Sequence, residues 1–176
     1  MGLVHIYCGD GKGKTSAAVG LAVRAAGCGK RVVIARFLKT DNSGEVEILK
    51  KIPEVMLIPC RKTFGFVRSM DEETKRECAA YHRELFGEAV KLAEHADLVV
   101  FDEIMAAVNY GMVPERDVLE FLENRPGRDQ TDGLEIVLTG RGPSEKLIAA
   151  ADYVSEICKR KHPFDRGIMA RRGVEY

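Results

Sequence analysis

The chain has 176 residues, which at roughly 100 to 200 residues per domain predicts one domain with a substantial core rather than two independent enzymatic units. Lys plus Arg and Asp plus Glu number 27 each, so the net charge is zero and no global footprint for nucleic acid or an anionic membrane exists; any polyanion must be held locally. Apolar residues at 45% and charged residues at 31% place the chain with folded soluble proteins and away from disordered ones.

The N-terminal stretch lacks a signal peptide's charged, apolar and cleavage regions, and no apolar run approaches the roughly 18 to 20 residues of a membrane span, so a cytoplasmic protein is expected. The first predicted strand, Leu3 to Cys8, runs into Gly9-Asp10-Gly11-Lys12-Gly13-Lys14-Thr15-Ser16 and then a predicted helix from Gly13 to Ala26. Strand, glycine-rich turn and helix N-terminus make an anion cradle: backbone N–H groups turn toward phosphate oxygens, Lys14 neutralises charge, and Thr15 or Ser16 offers a hydroxyl to Mg²⁺. The spacing is one residue shorter than the usual GxxxxGK[ST], reading GxxxGKT from Gly9. The amides therefore sit differently around a triphosphate, and the reacting atom need not be the γ-phosphorus.

Further strands are predicted at Arg31 to Phe37, Val55 to Pro59, Asp97 to Phe101, Leu134 to Thr139 and Tyr153 to Ile157. Helices are predicted near Glu45 to Lys51, over Asp71 to Glu94 with Ser69 as N-cap and Glu72 its reciprocal partner, over Pro114 to Glu123, and over Ser144 to Ala150. Apolar strands alternating with helices predict a single α/β domain whose mostly parallel, about six-stranded sheet is flanked by helices, a P-loop (RecA-like) arrangement. Ligands of such sheets bind beyond the strands' carboxyl ends, where Cys8-Gly9, Asp102-Glu103 and Gly140-Arg141 fall.

After the apolar run Leu98 to Phe101, Asp102 and Glu103 are candidate ligands for a hard cation, one of them alternatively capping the next helix. Arg141, in Gly140-Arg141-Gly142, suits a charge-assisted contact to phosphate or carboxylate, or is a plain surface arginine. The five cysteines (Cys8, Cys28, Cys60, Cys78, Cys158) form no CxxC pair and the four histidines no ligand motif, which predicts reduced thiols and no intrinsic transition-metal site. Lys159 to His162 with Arg166, Arg171 and Arg172 is the local basic concentration, readable as a nucleic-acid patch or a solvated tail; interspersed Pro163, Phe164, Ile168 and Met169 favour an ordered segment docking on the domain.

Gly9 to Val32, Arg36 to Thr40, Asp97 to Glu103 with Asn109-Tyr110-Gly111, Arg125-Pro126, Leu138 to Gly142, Ala150 to Glu156 and Lys161 to Tyr176 together resemble the ATP:corrinoid adenosyltransferases of cobalamin salvage and biosynthesis, including the cob(I)yrinic acid a,c-diamide type. The likeness runs over nearly the whole chain, and the shortened loop belongs to it. It implies transfer of the adenosyl group of ATP to a Co(I) corrinoid, with Co(I) attacking the ribose C5′ and tripolyphosphate leaving, so that no protein nucleophile or general base is required. It implies triphosphate held by Gly9, Asp10, Gly11, Lys12, Gly13, Lys14, Thr15 and Ser16, with Arg24 in the nucleotide site. Thr15, Asp102 and Glu103 lie by Mg²⁺ (or Mn²⁺), and Lys14, Glu103 and Arg141 serve the reaction.

Phe64-Gly65-Phe66 stands where members carry an aromatic pair, frequently Phe-Thr-Trp, that displaces the corrinoid's lower base; this chain has no Trp, and two core phenylalanines are the alternative reading. Asp10 stands where other members often have Asn. The resemblance further implies one catalytic domain over residues 1–176, with the 159–176 segment beside the active site near the corrinoid's periphery. A reduced flavoprotein as electron donor, a homodimer and a corrinoid site without the N-terminal cover of longer members are also implied. From the residues alone, a γ-phosphoryl-transferring kinase or ATPase and a non-catalytic nucleotide sensor are the rival functions.

Overall fold

The computed structural model describes residues 2–128 and 132–176. Six parallel strands, β1 (Val4–Cys8), β2 (Val32–Arg36), β3 (Val55–Leu57), β4 (Leu98–Asp102), β5 (Glu135–Thr139) and β6 (Tyr153–Glu156), form one sheet in the order β3-β2-β4-β5-β1-β6. The helices are α1 (Lys14–Gly27), α2 (Gly44–Leu49), α3 (Glu72–Ala93), α4 (Ile104–Asn109), α5 (Glu115–Glu123) and α6 (Glu145–Ala149). The α/β class, the parallel sheet and all six predicted strands are thus present.

Both sheet faces are buried, which is why the central strands read as unbroken apolar runs. Val32, Ile34, Leu98, Val100 and Val137 face α1, whose Ala18, Ala22 and Ala26 recur every four residues and let the helix lie close to the sheet. On the other face Val33, Phe37, Val99, Phe101, Ile136 and Leu138 meet Leu85, Phe86 and Ala89 of α3 with Val118 and Phe121 of α5. Phe101 is the centre of that layer, with ring centroids 5.5 Å from both Phe86 and Phe121. Full burial of each such large side chain contributes about 1.5 to 3 kcal/mol.

Two local expectations are corrected. The N-cap of α3 is Asp71, whose carboxylate accepts from Thr74 N at 2.8 Å, not Ser69. Ser69 closes a 3₁₀ turn over Val67–Ser69, and its hydroxyl is already donated to Phe66 O at 2.9 Å. Helix α4 was not expected; Glu103, in the left-handed region at φ 61, reverses the chain from β4 straight into α4 with no intervening loop.

His82 on α3 is buried at 3% exposure among Phe37, Phe64 and Tyr81, and its Nδ1 has no hydrogen-bond partner among the described residues. Burial disfavours the imidazolium and lowers its pKa from 6.5 to about 4. The depressed folded pKa gives a contribution fully present above pH 6.5 and lost as the pH falls toward about 4, at most about 3 kcal/mol. Urea unfolding between pH 7.5 and 4.5 is expected to show that acid sensitivity in the native chain and its loss in His82→Leu; equal pH slopes would contradict it.

Candidate active site at the carboxyl edge of the sheet

The loop between β1 and α1 is shaped by close approach. The residue after β6, Ile157, donates its N–H to Cys8 O at 2.9 Å and accepts from Gly11 N at 2.7 Å. A Cβ at Gly9 or Gly11 would stand 2.5 or 2.6 Å from Ile157 O, and Gly9 and Gly13 have φ of 101 and 120, so glycine is required for the strap as well as for the turn. Lys14 folds into the loop it follows: at 7% exposure its Nζ donates to Gly9 O and Gly11 O, each at 2.8 Å. Burial lowers the Lys14 pKa, and the nearby Glu103 carboxylate opposes that shift.

Asp102 ends β4 at 1% exposure and is the hub of the site. Its Oδ1 accepts from Thr15 Oγ1 at 3.0 Å and from Thr139 Oγ1 at 2.7 Å, while Lys39 Nζ lies 2.5 Å from Oδ2. Strand β5 lies between β1 and β4, so its terminal Thr139 joins the two motif-bearing strands; Thr139 Oγ1 also accepts from Glu103 N at 2.9 Å. Of the two candidate hydroxyls, Thr15 faces Asp102, whereas Ser16 is exposed on the first turn of α1.

Arg141 is exposed at the turn after β5, near enough to Lys14 and Asp10 to act on both electrostatically. The turn is held by Asn109 Nδ2, which donates to Arg141 O at 2.9 Å and Gly142 O at 3.1 Å, and by Gly140 packing on Met105 of α4. Arg24 is not gathered into this cluster: it is exposed in the last turn of α1, about 15 Å of helix rise beyond Lys14.

The two phenylalanines divide. Phe64 is partly buried, its ring 5.6 Å from Tyr81 and 6.4 Å from His82. Phe66 is 87% exposed and borders a cavity of about 550 Å³ with Leu38, Lys39, Glu103 and Tyr110. On the other side of the loop, the C-terminal segment follows the chain back: Lys159 N donates to Asp10 Oδ1 at 2.8 Å, which lowers the Asp10 pKa, and Glu175 pairs with Lys12 at 3.3 Å. Its contacts with Arg171 and Lys12 bring the Glu175 pKa down to about 2.

Sequence reasoning gave no role to Lys39, Thr139 or Asn109. Thr139, the polar last residue of an apolar strand, and Lys39, the first charged residue beyond β2, each carried a weak signal; Asn109, at the end of a helix the sequence does not announce, carried none.

Among the described residues no group of three His, Cys, Asp or Glu side chains stands ready to hold a metal, and no helix is long and apolar enough to cross a membrane. Thr15 and Asp102 nevertheless form a hard-oxygen pair around a position already taken by the cationic Lys39 ammonium, a donor set that fits Mg²⁺ completed by phosphate and water.

A glycine loop and lysine after β1, a carboxylate at the end of β4 and one strand between them make a P-loop-like α/β arrangement. The model of the ATP:corrinoid adenosyltransferase BtuR/CobO/CobP family matches residues 1–176. The chain is 35% identical to the corrinoid adenosyltransferase of Escherichia coli K12 over 99% of its own length and 86% of that protein. Identity is 35% to the corrinoid adenosyltransferase CobA of Salmonella typhimurium, covering 99% of this chain and 86% of the relative, and 32% to the Pseudomonas aeruginosa corrinoid adenosyltransferase, covering 99% and 84%. The chain belongs to the ATP:corrinoid adenosyltransferase family.

Proposed function

We propose that the protein transfers the 5′-deoxyadenosyl group of ATP to the Co(I) centre of a reduced corrinoid and releases tripolyphosphate, yielding adenosylcobalamin or its precursor. The observation that carries this reading is membership of the adenosyltransferase family along all 176 residues. In the reaction a Co–C5′ bond forms with the electron pair of Co(I) while the C5′–O bond to the triphosphate breaks, its electrons leaving on oxygen. The protein then has two tasks, aligning cobalt with C5′ and stabilising charge on the leaving triphosphate.

Lys14, the residue 9–16 loop and Arg141 serve the second task, with Lys12 exposed at its rim. Mg²⁺ (or Mn²⁺), held through Thr15 and Asp102, would add Lewis-acid neutralisation of the phosphate oxygens. Glu103 borders both Lys14 and the cavity beside Phe66, which suits a group at the junction of nucleotide and corrinoid. One catalytic domain with the 159–176 segment closing over Asp10 and Lys12 completes the reading. A reduced flavoprotein donor and a homodimer come with it from the family resemblance.

Purified protein given ATP, Mg²⁺ and chemically reduced cobalamin is expected to form a light-sensitive Co–C product and tripolyphosphate in equal amounts. ADP without that product would establish the phosphoryl-transfer reading instead.

The cavity beside Phe66 is assigned to the corrinoid face. Because Phe66 is almost fully exposed, Phe66→Ala is expected to change folding stability by no more than about 0.5 kcal/mol. Adenosylation is expected to drop by roughly tenfold or more through lost apolar contact, with ATP affinity unchanged. Phe64→Ala should lower the melting temperature instead. Reduced cobalamin titrations and thermal melts separate the two, and unaltered kinetics in Phe66→Ala would remove the assignment.

A further inference from the structure

Lys39 lies where two parts of the site meet. Its Nζ donates to Thr15 Oγ1 at 2.7 Å and pairs with Asp102 Oδ2 at 2.5 Å, bridging the hydroxyl and the carboxylate that are the hard-oxygen pair of the site. Its side chain is 24% exposed against 2% for that of Asp102, so the ammonium is the partner through which the buried carboxylate meets solvent.

The segment carrying it is built to aim it there. Phe37 N donates to Asp102 O at 2.8 Å, Leu38 takes a left-handed φ of 53, and Arg36, 3% exposed in its side chain, donates to Thr40 O at 2.8 Å and pairs with Asp41. A non-glycine residue held at positive φ between two anchored neighbours is strained geometry sustained by its surroundings. On its far side Lys39 borders the cavity shared with Phe66, Glu103 and Tyr110.

We propose that Lys39 is a positioning residue that keeps the cation position between Thr15 and Asp102 filled until metal-bound nucleotide displaces it. The displaced ammonium turns into the Phe66 cavity, where Glu103 supplies the opposite charge. The inference rests on the reading of Thr15 and Asp102 as metal-holding residues. Two cations cannot share one carboxylate at contact distance without mutual repulsion, so Lys39 and the metal compete, and filling the nucleotide site moves positive charge toward the corrinoid side.

The test is Mn²⁺ binding to the nucleotide-free protein, read by electron paramagnetic resonance, with thermal melts in the same samples. Lys39→Met is expected to bind Mn²⁺ on the order of tenfold more tightly than the native chain, and to gain more in melting temperature from Mn²⁺, because the competing charge is gone. Lys39→Arg, which keeps the charge, is expected to stay near native affinity. Equal or weaker Mn²⁺ binding by folded Lys39→Met overturns the proposal. Should Lys39→Met not fold, Lys39→Gln, whose amide retains a donor without the charge, replaces it with the same expected and overturning results. Adding Asp102→Asn to the Lys39 variant must abolish the gain. If it does not, the ion is bound elsewhere and the metal reading of Thr15 and Asp102 fails as well, whereas abolished binding with no Lys39 effect sinks this inference alone.

Discussion

Lys14→Ala is expected to lower kcat/KM for adenosylation by on the order of 10²- to 10³-fold, with most of the loss in kcat. Lys14 is the buried cation of the loop, and in the proposed reaction charge on the departing triphosphate grows as the C5′–O bond breaks. An interaction that strengthens with developing charge accelerates the step rather than merely tightening binding. In the structure the ammonium is directed to Gly9 O and Gly11 O at 2.8 Å, so it is aimed into the loop before any phosphate arrives. Truncation leaves those two carbonyls without that donor, for which a fall in stability of about 1 to 2 kcal/mol is expected. Lys12 offers the contrast: its side chain is 49% exposed in a pair with Glu175, so Lys12→Ala should cost far less in rate and almost nothing in stability. Initial rates with reduced cobalamin, ATP titration calorimetry and thermal melts of both variants give the comparison. Near-native turnover by Lys14→Ala would contradict the assigned site.

Where sequence and structure agree, a local pattern decided the outcome. Unbroken apolar runs such as Leu98 to Phe101 require a strand covered on both faces, and GKT after a strand requires a helix N-terminus at an anion cradle. What sequence left open depends on contacts between distant segments. Gly9 and Gly11 looked like phosphate-loop glycines alone, yet Ile157, nearly 150 residues on, is what a side chain there would strike. Lys39 stands in sequence only within the Arg36 to Thr40 stretch of the family resemblance, with no role of its own; the neighbouring positions of β2 and β4 bring it to Asp102. Phe64 and Phe66 share one apolar character in sequence, and the left-handed Gly65 between them, at φ 80, helps turn one inward and the other out. Ser69, the capping residue expected from sequence, donates its hydroxyl to Phe66 O, and Asp71, expected inside the helix, caps it instead. Helix α4 leaves no mark in the sequence because strand and helix join at a single left-handed residue, Glu103, with none of the usual loop composition.

Asp102→Asn is expected to reduce both stability and turnover, a combination that separates it from Lys14. The native carboxylate takes hydrogen bonds from Thr15 and Thr139 and pairs with Lys39 while almost wholly buried. An amide of the same shape has one acceptor oxygen, presents an N–H₂ to a donor, and leaves the Lys39 ammonium without its counter-charge. Breaking one side of such a buried pair typically costs about 3 to 5 kcal/mol, although partial exposure of Lys39 places the expectation at the lower end. Turnover is expected to fall by about 10²-fold or more, because the cation that would neutralise the triphosphate loses its carboxylate ligand. The half-buried neighbour Glu103 makes no hydrogen bond through its side chain to Thr15, Thr139 or Lys39, so Glu103→Gln should lose rate while keeping its melting temperature. Raising Mg²⁺ should recover part of the rate in Asp102→Asn if remaining phosphate and hydroxyl oxygens still hold the ion weakly, and none in Lys14→Ala. Asp102→Asn with native stability and native Mg²⁺ dependence would show that neither the charge nor the cation position at the end of β4 matters to this enzyme.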